Sequence, residues 1–187
     1  MNRKLIPLIV AGALLAAVPG LAPVHAAPQA DSAVRVASPS KLVLDNSERI
    51  LSTLESRRAE FTKNPAALRQ FISSEFENMF DSDYAARQVL GRHGRGASAE
   101  DISAFGDALA DNLMQRYGSS LLSFNTKLQV RVKSETPLPR GLGVKVASEM
   151  LRSDGDAIPV DYLMRMSGGQ WKVFDVMVEG VSFVQTF

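Results

Sequence analysis

The sequence predicts an α+β domain in which N-terminal helices pack on one face of a curved, four-stranded antiparallel sheet. Two observations carry this. Up to Asn125 the apolar residues recur at steps of three and four, and beyond it they alternate with polar ones. The alternating runs are separated by short Gly-, Pro- and Asp-containing stretches of the kind that close hairpins. The chain has 187 residues and no cysteine, so its core alone must hold the fold. About 160 residues can bury enough surface for that.

The first 26 residues have the layout of an export signal. Arg3 and Lys4 form a charged start, Leu5 to Val18 is apolar, Pro19 and Gly20 break the run, and Val24 and Ala26 suit cleavage after Ala26. The apolar run is shorter than the roughly 20 residues of a membrane span. No cysteine follows it, which excludes a lipoprotein anchor. Removing residues 1–26 takes away two bases and no acid, leaving a charge of about −1. Such a chain offers no footprint for nucleic acid. Residues 27–39 are small, polar and Pro-containing, and read as a flexible leader before one domain over residues 40–187.

Helical spacing begins at Ser40, with Val43, Ser47, Ile50, Leu51 and Leu54 on one face and an end expected near Phe61. Asn64 and Pro65 then form a cap and first turn, and Leu68, Phe71, Ile72 and Phe76 face inward. Asp81 caps the next helix and Gly91 stops it. "SAED" resembles a capping box from Ser98 to Asp101. It opens the longest helix, striped by Ile102, Phe105, Leu109, Leu113, Tyr117, Leu121 and Phe124.

Four strands follow. Leu128, Val130 and Val132 alternate in the first, Val144 and Val146 open the second, and Ile158 to Met166 makes the third. "GGQWKVFDVMVEGVSFVQTF" supplies the fourth, from Trp171 to Val178 and beyond. Three short turns between four strands predict an antiparallel meander. Met150, Met164, Met166 and Met177 lie in or beside the strands with Tyr162 and Trp171, a composition that suits an ordinary core and an adaptable apolar pocket alike.

Catalytic chemistry is sparse. The two histidines are His25, in the signal, and His93, in the turn "GRHGRG". No Cys/His zinc set exists, and no G-x-S-x-G elbow accompanies His93. "GRHGRG" also lacks the preceding strand and the following Lys-Ser/Thr of a phosphate loop. Asp154 and Asp156 sit in a stretch far shorter than a twelve-residue calcium loop. Asp161 and Asp175 lie within strands, where either faces a pocket as a proton shuttle or pairs with Arg165 and Lys172 at the surface. No metal, cofactor or catalytic group is expected.

"MFDSDYAARQVLGRHGR", "FGDALADNLMQRYGSSLLSF" and "IPVDYLMRMSGGQWKVFDVMVEGVSFVQTF" together resemble the MlaC family of periplasmic phospholipid-binding proteins, the toluene-tolerance auxiliary family. The resemblance spans Val43 to Phe187. Its most specific part is Gly169, Trp171, Lys172, Val173, Asp175, Val176, Glu179, Gly180, Val181 and Ser182. Gly94 stands where the family usually has Trp or another large residue, so looser packing is expected there. The family also continues past "SFVQTF" with an arginine-containing segment and a helix that would cover the last strand. A truncated chain or a member without that helix is therefore expected.

The resemblance implies a non-enzymatic shuttle, exported to the periplasm, whose sheet and helices enclose an apolar lipid cavity. It implies a phospholipid ligand, an inner-membrane ABC transporter complex with its substrate-binding ring, and an outer-membrane lipoprotein complex as partners. Strand alternation assigns the cavity lining to Val130, Val132, Val144, Val146, Met150, Val160, Tyr162, Met164, Val173 and Met177, with Leu113 and Tyr117 closing it from the long helix. Three alternatives stay open: a hopanoid-associated or other lipid-specific relative, an adaptor that binds no lipid, and a small cone-fold isomerase with Asp161 or Asp175 as base.

Overall fold

The computed structural model describes residues 37–117, 128–153 and 155–186, all within the unit Arg35–Phe187. Residues 27–36 of the expected leader, His25, Leu121, Phe124, Asn125, Asp154 and Phe187 lie outside the described residues, while Ser38 and Pro39, also assigned to the leader, cap and open the first helix. Among the described residues, five α-helices precede a five-stranded sheet in the order β1-β2-β3-β4-β5, every neighbouring pair antiparallel.

Helix α1 spans Pro39–Ser56, its first turn capped by the Ser38 hydroxyl, which accepts from the Lys41 amide at 3.3 Å. The predicted run to Phe61 is interrupted at Arg57, and α2 covers Arg58–Lys63. This is a kink rather than a stop. The Arg57 amide still donates to Thr53, and its carbonyl still accepts from Phe61. The Arg57 guanidinium lies over the Phe61 ring, which stacks on Phe71 at 5.6 Å. Leu54, Phe61, Leu68 and Ile72 thus make a small core among α1, α2 and α3 (Pro65–Met79). Asn64 caps α3 as its sequence requires, accepting from the Ala67 amide.

Helix α4 (Ser82–Leu90) starts at Asp81, whose carboxylate accepts from the Tyr84 amide at 3.1 Å, and turns out at Gly91 with φ +49°. A short 3₁₀ turn over Gly91–Gly94 leads to α5 (Ala99–Tyr117). Ser98 and Asp101 complete the capping box reciprocally, each side chain accepting from the other residue's amide. Helices α4 and α5 approach closely because the facing residues are small. Ala85 and Ala86 are fully buried, and a Cβ on Gly106 would lie 3.0 Å from the Ser82 carbonyl oxygen.

The strands are β1 (Gln129–Pro137), β2 (Val144–Leu151), β3 (Ile158–Ser167), β4 (Gln170–Val178) and β5 (Val181–Ser182). The fourth strand of the sequence reading divides at Glu179 and Gly180. Both residues have positive φ and fold Val181–Ser182 back onto Val178 and Met177. Two register shifts bend the meander, between Val132 and Ser134 on β1 and opposite Leu163 and Met164 on β4. In the first, Lys133 is the extra residue, so Glu135 comes to the helix-facing side. There it accepts from the Ser40 amide at 3.1 Å and hydroxyl at 2.7 Å, at the start of α1. In the second, Phe174 is the extra residue, and its ring meets Tyr84 edge-on at 5.0 Å.

Gly143 illustrates how tightly the β1–β2 loop lies on its neighbour. Its φ is +135°, and a Cβ there would sit 1.9 Å from the Met164 carbonyl oxygen. Gly143→Ala should therefore cost about 3 kcal/mol or more, since backbone must move. Gly168→Ala, at φ +56° with open space around it, should cost only about 1 kcal/mol. Urea unfolding of both variants checks this, and equal losses would show that the loop relaxes freely.

Candidate functional site

The inner face of the sheet is apolar and continuous across its central strands. In register, Val144 faces Met164, Val146 faces Tyr162, and Ser148 faces Val160. Across the next pair, Met164 faces Val173, Tyr162 faces Val176, and Val160 faces Val178. Val146, Met164 and Val173 join Leu113 of α5 in one buried cluster with Val43, Phe80, Ala85, Leu109 and Val184. Val132, Val144, Tyr162 and Trp171 are partly buried against it. Val160 is also buried, while Val130 and Met150 oppose each other, half-buried, near the far end of the face. The side chain of Tyr117 lies outside the described residues.

Met177 departs from the expected lining. It pairs with Asp161, whose carboxylate meets Lys145 at 3.2 Å on the other face. Alternation counted from Val173 puts Met177 on the inner face, but Phe174 is an extra residue and reverses the phase, so Val176 faces inward instead. Val43 of α1, Leu109 of α5 and Phe80, the extended residue after α3, contribute to the same surface, although none was assigned to the cavity lining. Their i, i+4 spacing with Ser47, Phe76 and Leu113 was the available signal.

Polar groups on the inner face are few and locally satisfied. Ser148 is buried and its hydroxyl donates to the Val160 carbonyl at 2.7 Å. The Tyr162 hydroxyl lies 3.5 Å from the Ser47 hydroxyl of α1. Burial pushes the Tyr162 pKa above its ordinary range, with the Ser47 contact opposing that shift. The two candidate bases are engaged elsewhere. Asp161 pairs with Lys145. Asp175 is buried and accepts from the Ser182 hydroxyl at 2.6 Å and the Val184 amide at 3.1 Å, pinning the segment after β5. His93 is exposed in its turn with Arg92 as neighbour. Among the described residues no group of three or more His, Cys, Asp or Glu is placed to hold a metal, and no helix is long and apolar enough to cross a membrane.

Polar bonds concentrate instead at the two margins of the sheet. On the β1 side, Glu135 holds the start of α1. On the β4 side, Phe80 bridges to Val173, and the Asp81 amide donates to the Val173 carbonyl at 2.7 Å. Arg165 reaches Asp81 at 2.7 Å, and Lys172 donates to the Asn78 carbonyl at 2.6 Å. Apart from Arg165 at the end of β3, β2 and β3 meet the helices through apolar side chains and the long Tyr162–Ser47 contact.

Residues 44–187 match the family described as MlaC protein. The toluene tolerance protein ttg2D of Pseudomonas putida is 26% identical over 157 residues, covering 82% of this chain and 71% of that protein. The intermembrane phospholipid transport system binding protein MlaC of Haemophilus influenzae is 22% identical over 157 residues, covering 82% and 73%. The phospholipid-binding protein of Ralstonia solanacearum, solved in complex with a phospholipid, has the same fold. Its TM-score is 0.70 at 20% identity, over 80% of this chain and 83% of that one.

Tyr162→Phe should change stability by less than about 1 kcal/mol near neutral pH, because the hydroxyl contact is long. The pH dependence should differ. With the folded pKa raised, the neutral phenol's contribution is full below about pH 10 and is lost as pH rises beyond it, because the unfolded state ionises first. The variant should therefore lack part of the alkaline loss seen in the parent. Urea midpoints at about pH 8 and about pH 11 measure this, and parallel declines would place Tyr162 in water.

Proposed function

Because this chain belongs to the MlaC family over residues 44–187, we propose that it is a periplasmic phospholipid carrier. It would take acyl chains between the helices and the inner face of the sheet. The supporting observation is the arrangement of the two layers. Polar bonds hold them together at the β1 margin and at the α4 end of β3 and β4, while apolar side chains meet over the rest of β2 and β3. Lipid methylenes can replace side-chain contacts in that middle zone with one polar contact at stake, the long one between Tyr162 and Ser47. The fold it shares with a protein solved in complex with a phospholipid supports the same ligand class.

The energetics require such a site. Each methylene removed from water contributes about 0.8 kcal/mol, so one long acyl chain represents on the order of 10 kcal/mol. A lipid does not cross an aqueous gap unaided against that cost. The carrier must match the burial closely enough to extract lipid and still release it. Leu113, Val132, Val144, Val146, Val160, Tyr162, Met164 and Val173 are the proposed acyl contacts, with Val130, Met150 and Tyr117 towards the ends. The chemistry needs no nucleophile, base or cofactor, and the engagement of Asp161 and Asp175 outside the inner face fits a carrier better than an isomerase.

The name of the Haemophilus influenzae relative supports placing the carrier in an intermembrane system. In this reading the protein is exported with its signal cleaved after Ala26, and the residues from 27 up to the Ser38 cap of α1 form a leader to one domain. Its partners are an outer-membrane lipoprotein complex and an inner-membrane ABC transporter with its substrate-binding ring.

Native mass spectrometry of the mature protein, purified from the periplasm without detergent and followed by organic extraction, tests the ligand. A diacyl phospholipid at one per protein is expected. Protein that is folded yet free of lipid, and that takes none up from phospholipid vesicles, would leave the adaptor reading in its place.

A further inference from the structure

A groove of about 260 Å³ opens at the end of the sheet where the β1–β2 loop and the β3–β4 hairpin lie side by side. Its walls include Tyr84, Leu142, Gly143, Arg165, Met166 and Trp171. Leu142 and Met166 are 51% and 44% exposed, unusual for such residues, and both stand on this one groove. Trp171 is set back, with its ring packed against the core cluster.

The loop that presents Leu142 is held rigidly. The Leu138 amide donates to the Gly143 carbonyl at 2.8 Å, and Gly143 sits where a Cβ would strike the Met164 carbonyl. Arg140 is held with φ +59°, a left-handed conformation uncommon for a non-glycine residue. A preorganised loop that exposes leucine loses little entropy on binding.

Charge narrows the occupant. Residues 136–148 and 162–174, which form this end, contain Arg140, Lys145, Arg165 and Lys172 and no Asp or Glu. Asp161 answers Lys145 and Asp81 answers Arg165. Lys172 meets a carbonyl, and among the described residues no carboxylate pairs with Arg140. With Asp83 beside Tyr84 as the exposed carboxylate on the α4 side, Arg140 and Lys172, each next to a lining residue, leave a cationic excess around an apolar hollow. Aromatic residues, Met and Arg are the types enriched at protein interfaces, and anchors sit in such hollows. A flat lipid surface would touch Leu142 and Met166 and leave the hollow unfilled, whereas a projecting side chain fills it.

We propose that this groove is a docking site for an acidic protein segment, which inserts one apolar side chain between Leu142, Met166 and Trp171 and sets flanking carboxylates against Arg140 and Lys172. The site lies at the end of the inner face, where Met166 pairs with Trp171 beyond Met164 and Val173, and docking there does not require bound lipid.

The test uses the full mature protein with ¹³C-methyl methionine and ¹⁵N-indole labels, titrated with two defined probes, acetyl-Glu-Phe-Asp-amide and acetyl-Lys-Phe-Lys-amide. The acidic peptide should move the Met166 methyl and Trp171 indole signals saturably, at concentrations at least about five-fold lower than the basic one, with the Met177 methyl signal still. The response should vanish in Arg140→Glu/Leu142→Glu, a variant that should keep the parent's lipid content by extraction. Equal responses to both peptides, no response, or a response undiminished in the variant would overturn the proposal. So would movement of these signals by phosphatidylglycerol vesicles in place of the acidic peptide.

Discussion

The β-bulge on β4 is the constraint from which most of the architecture follows. With Phe174 inserted opposite the Leu163–Met164 step, Val173 and Val176 both face the helices. The strand bends and twists at that point. The same Val173 supplies the carbonyl that receives the Asp81 amide and the backbone that bridges to Phe80. The turn from α3 into α4 is thereby fixed to the sheet at the bulge, and Tyr84 follows onto the ring of Phe174. Were Phe174 paired regularly instead of bulged, the strand would present Met177 inward and Val176 outward.

A second bulge, at Lys133, does the corresponding work on the opposite margin. It turns Glu135 towards the start of α1, where the carboxylate meets the amide and hydroxyl of Ser40 and the positive end of the helix dipole. It also leaves Arg131 and Lys133 together on the outer face to share Glu149, whose pKa they hold below the ordinary carboxylate range, Lys133 more than Arg131. Two local irregularities therefore place polar seams at both margins and leave an apolar interior between them. A layered structure built this way can change what fills its middle while its margins stay bonded. That is the mechanical property a lipid carrier needs.

Much of this was legible in the sequence, and the reasons are local. Asn64, Asp81 and the Ser98–Asp101 box act at their own helix ends, so capping chemistry located them correctly. The change of period after Asn125 separated helices from strands because each period reflects one backbone geometry. The kink at Arg57, the bulges and the separation of β5 were not legible. Each depends on a tertiary partner: Phe61 stacking on Phe71, Met164 pairing with Val173, and Asp175 gripping Ser182 and Val184. Alternation therefore served for β2 and β3 and failed for Met177, the assigned residue that lies beyond a bulge. Asp175, one of the two candidate bases, proved to be a structural clasp of the kind that strand periodicity does not distinguish from a reactive group.

The two methionines on opposite faces allow the placement of the ligand to be read directly. Methionine-methyl-labelled protein loaded with a protonated diacyl phospholipid should show intermolecular nuclear Overhauser effects from acyl methylenes to the Met164 methyl and none to that of Met177. Contacts at Met177 alone, or at neither methionine in protein that demonstrably carries lipid, would contradict an acyl site between the helices and the inner face of the sheet.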